Sequence, residues 1–192
     1  MGSNTTSFPV LEHPAPSFTT SEAAELAKFW FKETLDVSPL VSERDQNFLL
    51  TNKKSKKFVL KIANAAESVE VLDFQNQAMN HMAKQDPSLP LPRVCLSLDK
   101  QQIHRLELNG NEHFVRVVTY LSGRLLDDLP KDRRDQNLMV SMGQFLGRLD
   151  RGLSDFFHPA AGHALLWDLQ QTPNLHQHLS HIKNKNNLLT AQ

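Results

Sequence analysis

One stretch of eight residues limits what the chain can become: Lys57-Phe58-Val59-Leu60-Lys61-Ile62-Ala63-Asn64. Side chains alternate across a strand, which puts Phe58, Leu60 and Ile62 on one face and Lys57, Val59 and Lys61 on the other. A lysine among β-branched and apolar residues is costly to bury unless an anion meets its ammonium. Lys61 is therefore either a surface residue of a half-exposed strand or a phosphate-binding group, and the segments around it decide between the two.

Upstream, residues 1–17 carry Pro9, Pro14 and Pro16 among few apolar neighbours and read as a loosely held, flexible tail. Thr19 and Glu22 have the spacing of a capping box. They open a helix from Ser21 to about Thr34 with Ala23, Leu26, Phe29 and Trp30 on one face, which Asp36 to Pro39 ends. Val37–Leu40 and Phe48–Leu50 read as short strands about the polar loop Ser42–Asn47. Four lysines in five positions, Lys53, Lys54, Lys56 and Lys57, fit a solvated hairpin tip better than an anion patch.

Downstream, Glu67 to Lys84 has helical spacing at Leu72, Gln75, Met79 and Met82, with Glu67 and Glu70 at the favourable end of the helix dipole and both methionines as core filler. Prolines 87, 90 and 92 lead into a strand at Val94–Leu98. Asn109-Gly110 tolerates the positive φ of a type I′ turn between two strand-like runs, Gln102–Leu108 and Glu112–Thr119. After a connection at Tyr120–Pro130, apolar positions from Leu138 to Phe156 mark about five turns of amphipathic helix. Gly143 and Gly147 there would admit a close neighbour, while Arg148, Asp150 and Arg151 read as a solvated face. Shorter helical pieces are expected at Trp167–Leu169 and Leu175–Ile182. The order of helix, strands, helix, strands and helices describes an α+β chain with a small antiparallel sheet and one inserted helix.

The 21 basic residues equal the 21 acidic ones, so no global field favours nucleic acid or an anionic membrane surface. Cys95 is the single cysteine, which excludes an internal disulfide and fits a reducing compartment; as a strand residue it reads as filler rather than a nucleophile. No apolar run reaches membrane-spanning length and residues 1–6 lack signal-peptide character, so a cytoplasmic protein is expected. His176, His178 and His181 form His-x-His-x-x-His, but without neighbouring cysteine or carboxylate ligands no metal site is read from them.

Several motifs, taken in order, resemble the aminoglycoside phosphotransferase family, in particular its hydroxylysine-kinase-like branch. They are Asp45-Gln46-Asn47-Phe48, the strand Phe58 to Asn64, Phe74-Gln75-Asn76, and Arg116 to Arg124 with Thr119-Tyr120-Leu121-Ser122-Gly123 inside it. Leu146-Gly147-Arg148-Leu149-Asp150, Phe157-His158-Pro159 and Trp167-Asp168-Leu169 continue the series, and the resemblance covers about residues 18–190. It implies a protein-kinase-like fold: a small β-rich lobe over 18–119, then a hinge and part of a helical lobe over 120–192. In that frame Lys61 would hold the phosphates of ATP or GTP, and Ser42 to Asn47 would lie over them, with Asp45, Gln46 and Asn47 nearest. Thr119, Tyr120 and Leu121 would offer hinge backbone groups to the base.

Two departures from the family pattern stand out. The helix position that commonly carries a glutamate facing the lysine holds Gln75, with Asp73 as the alternative partner for Lys61. No His-Gly-Asp catalytic loop occurs in the 192 residues, so no catalytic residue is assigned and the chain by itself is expected not to turn over. Mg2+ and a small amino-compound acceptor bearing a hydroxyl would then belong to a longer parent. Three functions fit: the front of a small-molecule kinase, a non-catalytic pseudokinase or interaction module, and a remnant with an exposed half-core.

Overall fold

The computed structural model describes residues 13–108, 110–163, 168–170 and 172. The expected helix at 175–182, the histidine series 176–181 and most of the Trp167–Leu169 piece lie outside them. Six strands form one antiparallel sheet: β1 (Asp36–Leu40), β2 (Gln46–Thr51), β3 (Lys57–Ile62), β4 (Val94–Cys95), β5 (His104–Leu108) and β6 (Asn111–Thr119). The strand that opened the sequence reading is the middle one, in the order β1-β2-β3-β6-β4, and β5 pairs the first half of β6. Pro39 sits in β1 at the sheet's edge, where a strand loses least from a missing amide hydrogen.

The alternation in β3 is realised as read. Phe58, Leu60 and Ile62 are buried, and the register sets Leu60 beside Phe48 and Val117. That face is roofed by α1 (Thr20–Ala27), whose Ala23 and Ala27 are buried in the same cluster as Trp30, Leu50 and Val115. The capping box forms: Thr19 Oγ1 accepts from the Glu22 amide, and the Glu22 carboxylate accepts from the Thr19 amide. The helix nevertheless stops at Ala27, short of Thr34. Trp30 leaves it to enter the core and donates its indole N–H to the Cys95 carbonyl at 2.9 Å, whereas Phe29 remains half exposed. Tertiary packing of the indole overrides local helical spacing.

The second helix, α2 (Val69–Gln85), begins with Ser68 as N-cap, so Glu67 lies outside it and only Glu70 occupies its first turn. Val71, Leu72, Asn76 and Met82 are its buried residues; Met79, read as core filler, is only partly buried. The strand expected over Val94–Leu98 shrinks to two residues. Gly110 takes φ +76°, and the pairing of Leu108 with Asn111 closes the expected two-residue turn. The long helix, α3 (Gln136–Leu153), has five turns, but none of its residues is buried among the described ones. No described atom comes within 4 Å of a Cβ built on Gly143 or Gly147. The close approach occurs at Gly152 instead, where an added Cβ would lie 2.5 Å from Met82 Sδ. Arg148 is partly exposed yet partnered: it makes a two-pronged bond to Asp86 at 2.7 Å and donates to Ser88, tying α3 to the end of α2. These bonds hold the Asp86 carboxyl below the usual carboxylate range, the Arg148 bond foremost.

Residues 13–17, expected to be loosely held, are tied down. Asn64 is fully buried and donates to the carbonyls of His13, Pro14 and Arg44, while its Oδ1 accepts from the Ala66 amide. Two outcomes are expected. Asn64→Ala should lower unfolding free energy by about 2 kcal/mol, because it strands buried polar groups; denaturant titration within 0.5 kcal/mol of the parent, roughly the noise of a surface change, would contradict the clamp. An Asp86 pKa below its unfolded value contributes stability above the unfolded pKa that is lost as pH falls through the folded one. The stability gap between the parent and Arg148→Ala should therefore close on acidification, and a gap independent of pH would contradict it.

Candidate functional site

The polar face of β3 lines an open cleft. Antiparallel partners share a face, so Lys61 is joined by Asn47 from β2 and Arg116 from β6, and Val59 by Val118. Phe74, Gln75, Ala78 and Met79 of α2 form the opposite wall, and Thr119, Tyr120 and Leu121 close one end. The cleft has a volume of about 590 Å³ and mainly apolar walls, within the range of small-molecule sites.

The structure brings together only some of the residues that sequence reasoning grouped. Lys61 Nζ donates to Asn47 Oδ1 at 3.0 Å and lies 3.8 Å from Asp45 Oδ2. Asp45 also accepts from the Asn64 amide, which anchors its loop beside the end of β3. Gln46 is elsewhere. Its register partner is Ile62, on the core face, and its amide group exchanges two hydrogen bonds with the Phe18 backbone at 2.7 and 2.8 Å. Neither candidate partner from α2 pairs with Lys61. Gln75 Oε1 accepts from Arg116 Nη2, and Asp73 accepts from Gln77 and sits 3.2 Å from His158 Nε2, away from the cleft. Helical spacing alone could not reveal this, because an unremarked arginine on the neighbouring strand competes for Gln75.

At the hinge, the Thr119 amide donates to the Arg93 carbonyl and the Tyr120 amide to the Lys57 carbonyl, so both donors serve the fold. Thr119 Oγ1 accepts from the Arg93 amide, and the Lys57 ammonium lies 5.6 Å from the centre of the Tyr120 ring. Leu121, past the last sheet bond, is half exposed at the cleft's mouth.

Arg116 is the residue that sequence reasoning quoted but did not assign. It is 4% exposed, and its Nη1 donates to Asn76 Oδ1 at 2.7 Å and to the Leu72 carbonyl. Its signal was available: Val115-Arg116-Val117-Val118 sets a cation in an apolar strand as Phe58-Val59-Leu60-Lys61-Ile62 does. Burial pushes the Lys61 pKa down; the Asp45 carboxylate opposes this and the Arg116 charge adds to it. Burial likewise lowers that of Arg116, against the carboxylates of Asp45 and Glu67. Cys95, away from the cleft, has its thiol pushed up to about 11 by burial, as suits a packing residue. No group of three or more His, Cys, Asp or Glu among the described residues is arranged to hold a metal ion. No carboxylate is among the described residues that line the cleft, and Asp45, 3.8 Å from Lys61, by itself does not make a Mg2+ site.

Comparison with known proteins places this geometry. Residues 36–190 match the model of the phosphotransferase enzyme family APH. The chain is 28% identical over 175 residues to a hydroxylysine kinase of Danio rerio, covering 85% of this chain and 48% of the relative. It is 26% identical over 196 residues to that of Bos taurus, covering 92% of this chain and 51% of the relative. The chain thus spans about half the length of the curated relatives it matches. Among solved structures, an amicoumacin kinase in complex with AMP-PNP and Ca2+ superposes with a TM-score of 0.66 at 14% identity, over 86% of this chain and 48% of that one. A microcompartment-associated aminopropanol kinase does so at 0.60 and 12%, over 80% and 46%. The fold is kinase-like, and the chain belongs to the APH phosphotransferase enzyme family.

Proposed function

We propose that this chain is the nucleotide-binding part of a small-molecule kinase, one that moves the γ-phosphate of ATP or GTP to a hydroxyl of a small amino compound such as hydroxylysine. The observation that carries the proposal is the convergence of Lys61, bonded to Asn47, and the Thr119–Leu121 hinge on one cleft in a chain of this family. A lysine ammonium is a compact charge with three donors, suited to bridging two phosphate groups. Asn47 accepts one of those hydrogens and the Asp45 carboxylate lies 3.8 Å away, so an incoming phosphate competes with a neutral amide and one carboxylate. Apolar walls from Val59, Val118 and Met79 suit the faces of a purine, and Leu121 is placed to offer backbone groups to its edge.

Binding is one task and transfer another. Phosphoryl transfer relies on positioning, on metal ions that neutralise developing charge and on a residue that orients the nucleophile. The 192 residues contain no His-Gly-Asp run, and no carboxylate is among the described residues that line the cleft. In this reading the segment binds nucleotide without transferring phosphate, and acceptor recognition lies with residues of a longer parent. The single half-buried cysteine fits a reducing, cytoplasmic setting. Turnover of ATP by the 192-residue chain with amino-alcohol acceptors would contradict this division of labour.

Nucleotide at about a hundred times its Kd should stabilise the fold by roughly 2.7 kcal/mol. The readout is a thermal melt with ATP or GTP, each with and without Mg2+; no shift at millimolar nucleotide would overturn the proposal. Lys61→Met should abolish that shift without lowering the ligand-free Tm. The sign follows from the pKa: Lys61 is depressed in the folded state, so its charge costs stability at neutral pH. A nucleotide shift that survives Lys61→Met would identify a different phosphate-binding group.

A further inference from the structure

Arg116 is a buried cation that makes no ion pair among the described residues. Its register partner across the β3–β6 ladder is Lys61, and both point into the cleft. Like charges directly opposite one another in a sheet are destabilising. Among the described residues every acceptor of the guanidinium is neutral: the Leu72 carbonyl, Asn76 Oδ1 and Gln75 Oε1. Its Nε is buried without a hydrogen-bond partner among the described residues. The carboxylates felt by Arg116 are Asp45 and Glu67, and Asp45 is also the one paired with Lys61. The two cations thus both feel Asp45, at the end of a partly desolvated cleft where an uncompensated charge is expensive.

We propose that Arg116 and Lys61 together form a two-cation anion site that takes the polyphosphate chain of the nucleotide. The inference rests on the nucleotide reading above and adds a second charge to it. Gln75 has a specific part in this. An amide oxygen holds the guanidinium in place on α2 without cancelling its charge, whereas a glutamate at 75 would neutralise the site from within. That explains why the α2 residue expected opposite Lys61 faces Arg116 instead, and why a neutral side chain suits that position. Arg116 also keeps its orientation when no ligand is present, because α2 supplies all three acceptors. A phosphate chain therefore meets a guanidinium already in place.

The test is calorimetric titration of the chain with ATP and, separately, with inorganic tripolyphosphate, at several salt concentrations. Gln75→Glu should weaken both ligands on the order of tenfold and flatten the salt dependence of the Kd, while leaving the ligand-free Tm equal or higher. Gln75→Met, which removes the hydrogen bond but adds no charge, should retain most of the tripolyphosphate affinity. A merely structural role for the Arg116–Gln75 bond predicts the reverse order: damage from Gln75→Met and none from Gln75→Glu. Parental ATP affinity in Gln75→Glu, together with its loss in Lys61→Met, would overturn the two-cation site and spare the nucleotide reading. Tripolyphosphate binding without ATP binding would uphold the anion site and overturn the nucleotide reading. Binding of neither ligand to the parent chain would overturn both.

Discussion

Two positive charges on adjacent central strands, facing a helix that returns only neutral acceptors, are the constraint on which the rest of the site depends. Buried ions such as Lys61 and Arg116 seldom add net stability to a sheet. Their placement costs stability, and the local arrangement limits that cost without removing it. Asp45 lies 3.8 Å from Lys61, Asn47 takes one ammonium hydrogen, and Gln75 and Asn76 take guanidinium hydrogens. An arrangement that lowers the cost of charge while leaving the charge uncancelled is suited to an anionic ligand.

The sheet's other face makes this affordable in structural terms. Phe48, Leu50, Leu60, Ile62, Val115 and Val117 are each no more than 1% exposed and pack beneath α1. Rigid strands on that side fix where Lys61 and Arg116 emerge on this one. Asn64 adds a second level of control. It lies two residues past the central strand, holds the backbone of the incoming N-terminal segment and, through its own backbone amide, holds Asp45. The loop carrying Asp45 is therefore positioned by the residues that directly follow the strand carrying Lys61.

How much of this was legible in the sequence differs by element. Period-two alternation in β3 and β6, the Asn-Gly turn and the capping box were readable because each depends on local stereochemistry. The early end of α1 was not, since Trp30 is drawn out of the helix by the Cys95 carbonyl, 65 residues away. The role of Arg148 failed for the same kind of reason: its partner Asp86 belongs to another helix. Within the site, Lys61 and the hinge could be named from motif order, but the pairing of α2 could not. Spacing offers Gln75 or Asp73 to Lys61; the strand register offers Gln75 to Arg116, and register is a property of the folded sheet. Gln46, grouped with Asp45 and Asn47 by motif, lies one position of alternation from Asn47 and so meets the Phe18 backbone.

The most direct test of a phosphate-binding cleft is an ATP titration followed by the backbone amide resonances of the 15N-labelled chain. The account predicts saturable shifts concentrated at Asn47, Lys61, Arg116 and Leu121, with the amides of α1 and of the β1 edge unmoved. Shifts confined to residues outside the cleft, or no saturable shifts at millimolar ATP, would contradict it.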